Sequence, residues 1–346
     1  MIEINKGHLW SSSINGFQIS PYFQELQTFA GQGDNYTASV IQIEKYLRIS
    51  VNSSQMERVT KCYGAQLEDQ MKEVAEVQLF QVKELKEVLG DDGRAYCMVD
   101  GSMIPTREGE DSNDWKEIKL GRIFGDVDNY ELDKNHNWIS HSIYLAHLGA
   151  HRGFVNKFEP IVDVLDDLSE RLVFVADGAP WIWNWIEECY GKATQVLDFY
   201  HAMEHLAAFG KVYFTKKEEQ KKWLSIQKNM LLNDQVVDII QEITQLSKRT
   251  AKVDKTRKSL LTYLQNNQHR MLYKTYMDND ISIGSGAIES AHRTVVQKRL
   301  KQSGQRWTLD GAQKIVDLRV VQASQQWHRV IDLIKENEYQ NYRIAA

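Results

Sequence analysis

Only three cysteines occur in the 346 residues, Cys62, Cys97 and Cys189. They are odd in number and far apart, which argues against a disulfide framework and against a cysteine-rich zinc site. No run approaches the ~18 consecutive apolar residues of a membrane helix, and the opening MIEINKGHLW lacks the apolar core of a signal peptide. The chain is therefore expected in the cytoplasm. Internal repeats and low-complexity tracts are absent as well. What remains is an ordinary globular composition, 42% hydrophobic and 26% charged, long enough for two domains or for one domain with a large insertion.

The formal net charge of -5 hides an asymmetry. Residues 1–203 carry 18 Lys and Arg against 32 Asp and Glu, a net of -14, whereas residues 204–329 carry 22 against 12, a net of +10. An acidic first part and a basic second part fit a protein that holds cations in one and polyanions in the other. Two ordinarily solvated surfaces would give the same count.

Two stretches share a pattern. RAYCMVDGSMI (94–104) is an apolar run broken by Asp100 and Gly101, and RLVFVADGAP (171–180) is a second apolar run ending in Asp177 and Gly178. Each reads as a short buried strand that carries one carboxylate to its end. An Asp-Gly pair after a strand is more often a turn, so it is the repetition that suggests a shared site.

Taken in order, residues 1–34 form an arm with little signal. Val40, Ile43 and Leu47 lie at helical spacing, a break follows at 49–52, and Ser53 or Ser54 can cap a second short helix with Met56, Val59 and Tyr63. This is a helix-turn-helix pattern whose second helix would offer Gln55, Arg58 and Lys61; such pairs are equally common as plain structure. Residues 66–89 continue as an amphipathic linker helix with Leu67, Val74, Val77 and Leu85, completing a region 35–90. Strands are expected at 94–103, 116–124 and 138–148, a helix at 154–168, the Asp177 strand, a Trp-rich helix from Pro180, and a strand at 193–199. Three adjoining strands followed by helix, strand, helix and strand is the order of a ribonuclease H type of mixed sheet. The core so defined spans 91–202. Residues 203–280 are helical by pattern and read as an insertion. Core helices resume over 281–330, with Ser285 or Gly286 opening one and Gly304 closing it, and 331–346 is a tail.

Glu289 falls in the first turn of that later helix, and joins Asp100 and Asp177 as a third acid from a separate element. Oxygen-only ligands suit Mg²⁺ or Mn²⁺. Two such ions ~3.5–4 Å apart serve in-line displacement at phosphorus, one activating the nucleophile and one stabilising the leaving oxygen. The plain alternatives are turn-forming aspartates and a first-turn glutamate favoured by the helix dipole. A competing motif lies in DFYHAMEHL (198–206), where His201, Glu204 and His205 spell H-x-x-E-H, the inverted zinc-protease signature. That reading leaves the two Asp-Gly strands and the basic part unexplained.

VDGSMIP with DWKEIKLG, FVADGAPWIWNW, LDFYHAMEHL and IGSGAIESAHRTVVQKRLKQSGQRW together resemble the transposases of bacterial insertion sequences of the ISKra4 family, kin to the Mutator-like DDE transposases. The resemblance covers about 20–327, and its last motif is the most specific. It implies an α/β fold, a ribonuclease H-like catalytic domain interrupted by an all-helical insertion, and a DNA strand-cleaving and strand-transferring activity with two Mg²⁺ or Mn²⁺ ions. It puts Asp100, Asp177 and Glu289 on the DDE positions. Asp198 and His201 fall on a C/D-x-x-H motif near the site, which absorbs HAMEH. The partners implied are DNA, as the element's terminal inverted repeats and the target, and a second copy of the chain, since two ends are cut. Phosphate contacts are expected from Lys248, Arg249, Lys252, Lys255, Arg257 and Lys258 in the insertion and from Arg293, Lys298, Arg299, Lys301 and Arg306 after Glu289. Trp307 is read as buried in preference to base-stacking. Members of the family look longer at the N-terminus, so a truncated or domesticated copy that binds DNA without transposing is the alternative expectation.

Overall fold

The computed structural model describes residues 17, 19–72, 76–107, 114–133, 136–247 and 250–345. They form two compact units, one drawn from Met1–Val88, Gly101–Val164 and Ser290–Ala346, the other from Leu89–Asp100 and Leu165–Glu289.

The first unit begins with α1 (Pro21–Gly33), inside the stretch expected as an arm. Pro21 sits at its first position and the Ser20 hydroxyl accepts from the Phe23 amide at 3.3 Å. Its buried positions are Gln24, Gln27, Thr28, Gly31 and Gln32, so a search for apolar periodicity passes over it. In α2 (Tyr36–Leu47) the Asn35 side chain caps the Ala38 amide, and Arg48 at φ 57° ends the helix. The chain then runs to α3 (Ser53–Lys72), whose first amides at Ser54 and Gln55 are capped by the Asn52 side chain. The expected helix pair is present, but its second member is 20 residues long. Met56, Val59, Thr60, Tyr63 and Leu67 are buried. Gly64 passes so close to a later helix that a β carbon there would lie 2.6 Å from the Lys314 carbonyl oxygen. α3 is therefore a core helix that shows solvent one face, including Arg58. The expected linker helix over 66–89 divides: its first residues end α3 and the rest is α4 (Glu76–Leu89); Val74 lies outside the described residues.

The mixed sheet has five strands in the order β5-β2-β1-β6-β7. β1 (Ala95–Pro105) is followed by β2 (Trp115–Gly125), and a separate two-stranded hairpin of β3 (Asn129–Asp133) and β4 (His136–Ile139) precedes β5 (Ile143–Leu148). The single strand expected over 138–148 is thus broken. At the break the Ser140 hydroxyl lies 3.0 Å from Asp128 Oδ1, pinning a bend between β4 and β5. β2 and β5 pair antiparallel from Ile118–Leu148 to Ile123–Ile143. Lys119 and Arg122 are buried within β2; the Lys119 ammonium donates to the Gly149 carbonyl and to Glu117, each at 2.7 Å. After β5 comes α5 (His151–Val162), which ends before the expected 168 in a 3-10 stretch Asp163–Arg171.

In the second unit β6 (Leu172–Ala176), α6 (Pro180–Cys189) and β7 (Thr194–Leu197) follow in turn. The first half of β1 pairs parallel with β6, and β6 pairs parallel with β7. Tyr96 to Val99 and all of β6 are buried, which is why they read as continuous apolar runs. From here to Asp280 no strand occurs among the described residues: α7 (Phe199–Tyr213), α8 (Lys217–Leu231), α9 (Val236–Gln245), α10 (Ala251–Asn267) and α11 (Tyr273–Asp278) form the expected helical block. Gly286 opens α12 (Gly286–Ala291), a π turn spans His292–Gln297, and α13 (Lys298–Leu300) ends before Gly304 at φ 75°.

The first unit is completed by α14 (Leu309–Ala323) and α15 (His328–Ala345). The expected tail therefore belongs to a helix. Leu318 and Val321 of α14 and Val330, Leu333 and Ile334 of α15 share a core with Val59, Tyr63 and Leu67 of α3. No helix among the described residues is long and apolar enough to cross a membrane.

Candidate active site

The site is built from strand register in the second unit. Val99 of β1 lies opposite Ala176 of β6, and Ala176 opposite Leu197 of β7. The next residue on each strand is an acid: Asp100, Asp177 and Asp198. Neighbouring strands lie ~4.8 Å apart, so three carboxylates follow one another across the sheet as a row, Asp177 and Asp198 just past the ends of β6 and β7 and Asp100 midway along β1, which continues through Gly101 to Pro105 in place of the expected break. The Asp198 amide donates to the Ala176 carbonyl at 2.8 Å, which carries the ladder to the last acid. Asp100 and Asp177 are half-buried and Asp198 is 3% exposed.

Each acid is oriented locally. Asp177 Oδ1 accepts from the Ala179 amide at 3.0 Å, and its carbonyl accepts from the Trp183 indole at 2.6 Å, which fixes α6 against the strand end. Asp198 caps α7, its Oδ1 accepting from the Tyr200 amide at 2.9 Å. The Ser285 hydroxyl donates to Asp198 Oδ2 at 2.6 Å and lies 3.3 Å from Glu289 Oε1. Glu289, exposed in the first turn of α12, is thereby tied to the acid row through one serine. Two hydrogen bonds hold that segment in place, the Phe199 amide donating to the Ile283 carbonyl at 3.0 Å and the Ser282 amide to the Tyr96 side-chain hydroxyl at 3.3 Å.

The helical block closes over Asp177. Tyr263 of α10 packs on Gly178 so tightly that a β carbon there would fall inside the ring's van der Waals contact. The same ring stacks on His205 of α7 with centroids 3.9 Å apart and an interplanar angle of 19°. Burial raises the Tyr263 phenol well above its usual range, and the negative charge of Asp177, Asp198 and Glu204 raises it further. Burial also holds the His205 imidazole low, with His201 acting in the same direction. The Tyr263 hydroxyl is buried without a hydrogen-bond partner among the described residues. Neither Tyr263 nor Ser285 stood out as a site residue in the sequence; their roles come from pairings 85 (263 − 178) and 87 (285 − 198) residues apart, with only Gly178 as a local sign of close approach.

His201 and His205 lie on one face of α7 with ring centroids 5.5 Å apart, as i and i+4 spacing requires. His201 faces Glu204 at 3.9 Å, while the His205 ring is taken up by Tyr263. Among the described residues no group of three His, Cys, Asp or Glu is already drawn together as a metal cage. The donor set at the row is all oxygen, the kind that suits a hard divalent cation.

The cations expected at phosphates divide by exposure. Lys252, Lys255 and Lys258 are exposed on α10, Lys258 pairing with Asp254 at 3.0 Å. Arg257 is buried and donates to the Thr244 and Leu246 carbonyls and to Asp254, so it stitches α10 to the end of α9. Arg293, Lys298 and Arg306 are exposed and Lys301 half-buried. Arg299 is 1% exposed, with its guanidinium between the rings of Tyr36 and Trp307 at 4.9 and 4.8 Å. It is a structural cation. Trp307 is buried, its indole donating to the Leu300 carbonyl. Lys248 and Arg249 lie outside the described residues.

The sequence matches no protein-family model and no curated protein.

Proposed function

We propose that the chain is a DDE-type DNA transposase of the ISKra4 kind, which cuts DNA at the ends of an insertion sequence and joins the freed 3′ hydroxyls to target DNA. The observation that carries the reading is the register of β1, β6 and β7, which aligns Asp100, Asp177 and Asp198 across the sheet, with Glu289 linked to Asp198 through Ser285. The sheet strands β1, β2 and β5, with the β3–β4 hairpin between the last two, then α5, β6, α6 and β7, with β1 central in the sheet, support a ribonuclease H type of core.

Asp100 and Asp177 would hold two Mg²⁺ or Mn²⁺ ions and Glu289 would complete the site. When bound, such ions supply the charge that activates a nucleophile and stabilises the leaving oxygen at phosphorus. The chain's own part is positional. Parallel strands fix the two aspartates, Ser285 sets the distance from Asp198 to Glu289, and the Tyr263–His205 stack closes one side of the row. Burial lowers the tendency of the His205 imidazole to carry a positive charge beside Asp177. Exposed Lys252, Lys255, Lys258, Arg293, Lys298 and Arg306 would contact phosphates, giving salt-dependent affinity with little sequence readout. The test is strand cleavage of DNA carrying the sequences that flank the reading frame, with and without Mg²⁺. Mg²⁺-dependent nicking lost in Asp177→Asn supports the reading; nicking that persists in that variant contradicts it.

A further inference from the structure

Within the first unit, a cleft of about 340 Å³ is lined by cations on a built frame. The last residues of β1 and the segment after α13 form a short parallel bridge between Thr106 and Trp307. The Trp307 amide donates to the Pro105 carbonyl at 3.1 Å, and the Arg107 amide to the Trp307 carbonyl at 2.8 Å. Arg107 Nε also donates to the Arg306 carbonyl at 3.0 Å. Arg107 and Arg306 are thus set side by side at the mouth, both exposed. Arg299 is the floor, its guanidinium held between Tyr36 and Trp307 and bonded to Gly31 and Gln305.

Lys61 of α3 lines the wall beside Glu57, which it pairs at 2.6 Å. Among the described lining residues, three arginines and a lysine stand against one glutamate. The starts of α2, α3 and α14 also face this cleft, through Asn35, Tyr36 and Thr37, through Ser53, and through Thr308.

We propose that this cleft binds one phosphate group of a nucleic-acid backbone, contacted by Arg107 and Arg306 from the mouth, with Arg299 lending charge from beneath. A phosphate is the anion that suits it: arginine forks match its oxygens, and the cleft is mostly polar and open at the mouth. The proposal does not depend on the acid row, since a chain that binds DNA without cutting it would use the same cleft.

The test uses the full chain carrying Asp177→Asn, so that strand cutting cannot enter the readout and a failed cleft is distinguishable from a failed active site. Binding of a short labelled duplex of arbitrary sequence is followed by fluorescence anisotropy across a salt series. Adding Arg107→Gln and Arg306→Gln together should weaken binding by about tenfold or more and reduce the slope of log K against log salt by about 2. Each single change should reduce the slope by about 1, which keeps the test decisive if the double variant does not fold. In a second arm, inorganic phosphate alone is titrated while the melting temperature is read. Unchanged duplex affinity and slope overturn the assignment to nucleic acid. They do so equally if phosphate alone stabilises the parent and not the double variant, because the natural ligand is then a free phosphate.

Discussion

Tyr263 lies directly on Gly178, the residue after Asp177, and leaves no room for a β carbon. A ring from the helical block therefore depends on a glycine at the strand end. Gly178→Ala should cost about 1–3 kcal/mol through overpacking and tilt Tyr263 off His205, lowering the melting temperature and any Mg²⁺-dependent cleavage together. Thermal denaturation at wild-type stability would show that the contact relaxes freely.

The Ser285 hydroxyl bridges Asp198 and Glu289. Ser285→Ala leaves the buried Asp198 Oδ2 without its hydroxyl donor and should destabilise the chain by about 1–3 kcal/mol. Calorimetric titration with Mn²⁺ should show weaker binding in this variant. Unaltered Mn²⁺ binding would mean that Glu289 finds its position without the serine.

Arg299 is buried between Tyr36 and Trp307, so its conservative replacement should separate stability from DNA affinity. Arg299→Lys keeps the charge but loses the planar fork and the stacking, and should lower stability by roughly 1–3 kcal/mol. Duplex affinity of the folded variant should stay near wild type. A large affinity loss with unchanged melting would identify Arg299 as a direct phosphate contact.

Asp317 of α14 is 1% exposed, and burial pushes its carboxyl up to about 7 even though Gln313 donates to it at 2.8 Å. Lys157 and Arg329 act against that rise and Glu68 with it. The folded chain then keeps a proton that the unfolded chain releases near pH 4. Stability contributed by this group is present at low pH and is lost as pH climbs towards 7. His147, held down to about 4 by burial, acts in the opposite sense between about 4 and 6.5. The clean comparison is therefore Asp317→Asn, which should be more stable than wild type at pH 8 by up to roughly 4 kcal/mol, at 1.36 per unit. Urea denaturation at pH 5 and pH 8 reads this directly; an equal difference at both values would contradict it.

The acid-bearing strands were legible because fully buried parallel strands appear as unbroken apolar runs, and one aspartate punctuates each. The helical block was legible from its apolar spacing. α1 was not, because it buries glutamine, threonine and glycine where a reader looks for leucine. Charge in the sequence also failed to separate Arg257 and Arg299 from their exposed neighbours. Their burial depends on carbonyls at the end of α9 and on aromatic rings far away in the chain. The Tyr263–Gly178 and Ser285–Asp198 contacts arise only once distant elements meet.

The proposed metal-dependent phosphodiester site rests on Asp100 and Asp177. Its most direct measurement is Mg²⁺-dependent cleavage of the reading frame's flanking DNA by wild type, Asp100→Asn and Asp177→Asn, each checked for folding. The proposed site predicts a loss of about 10³-fold or more in both variants with duplex binding retained. Cleavage within a few-fold of wild type in either folded variant would contradict it.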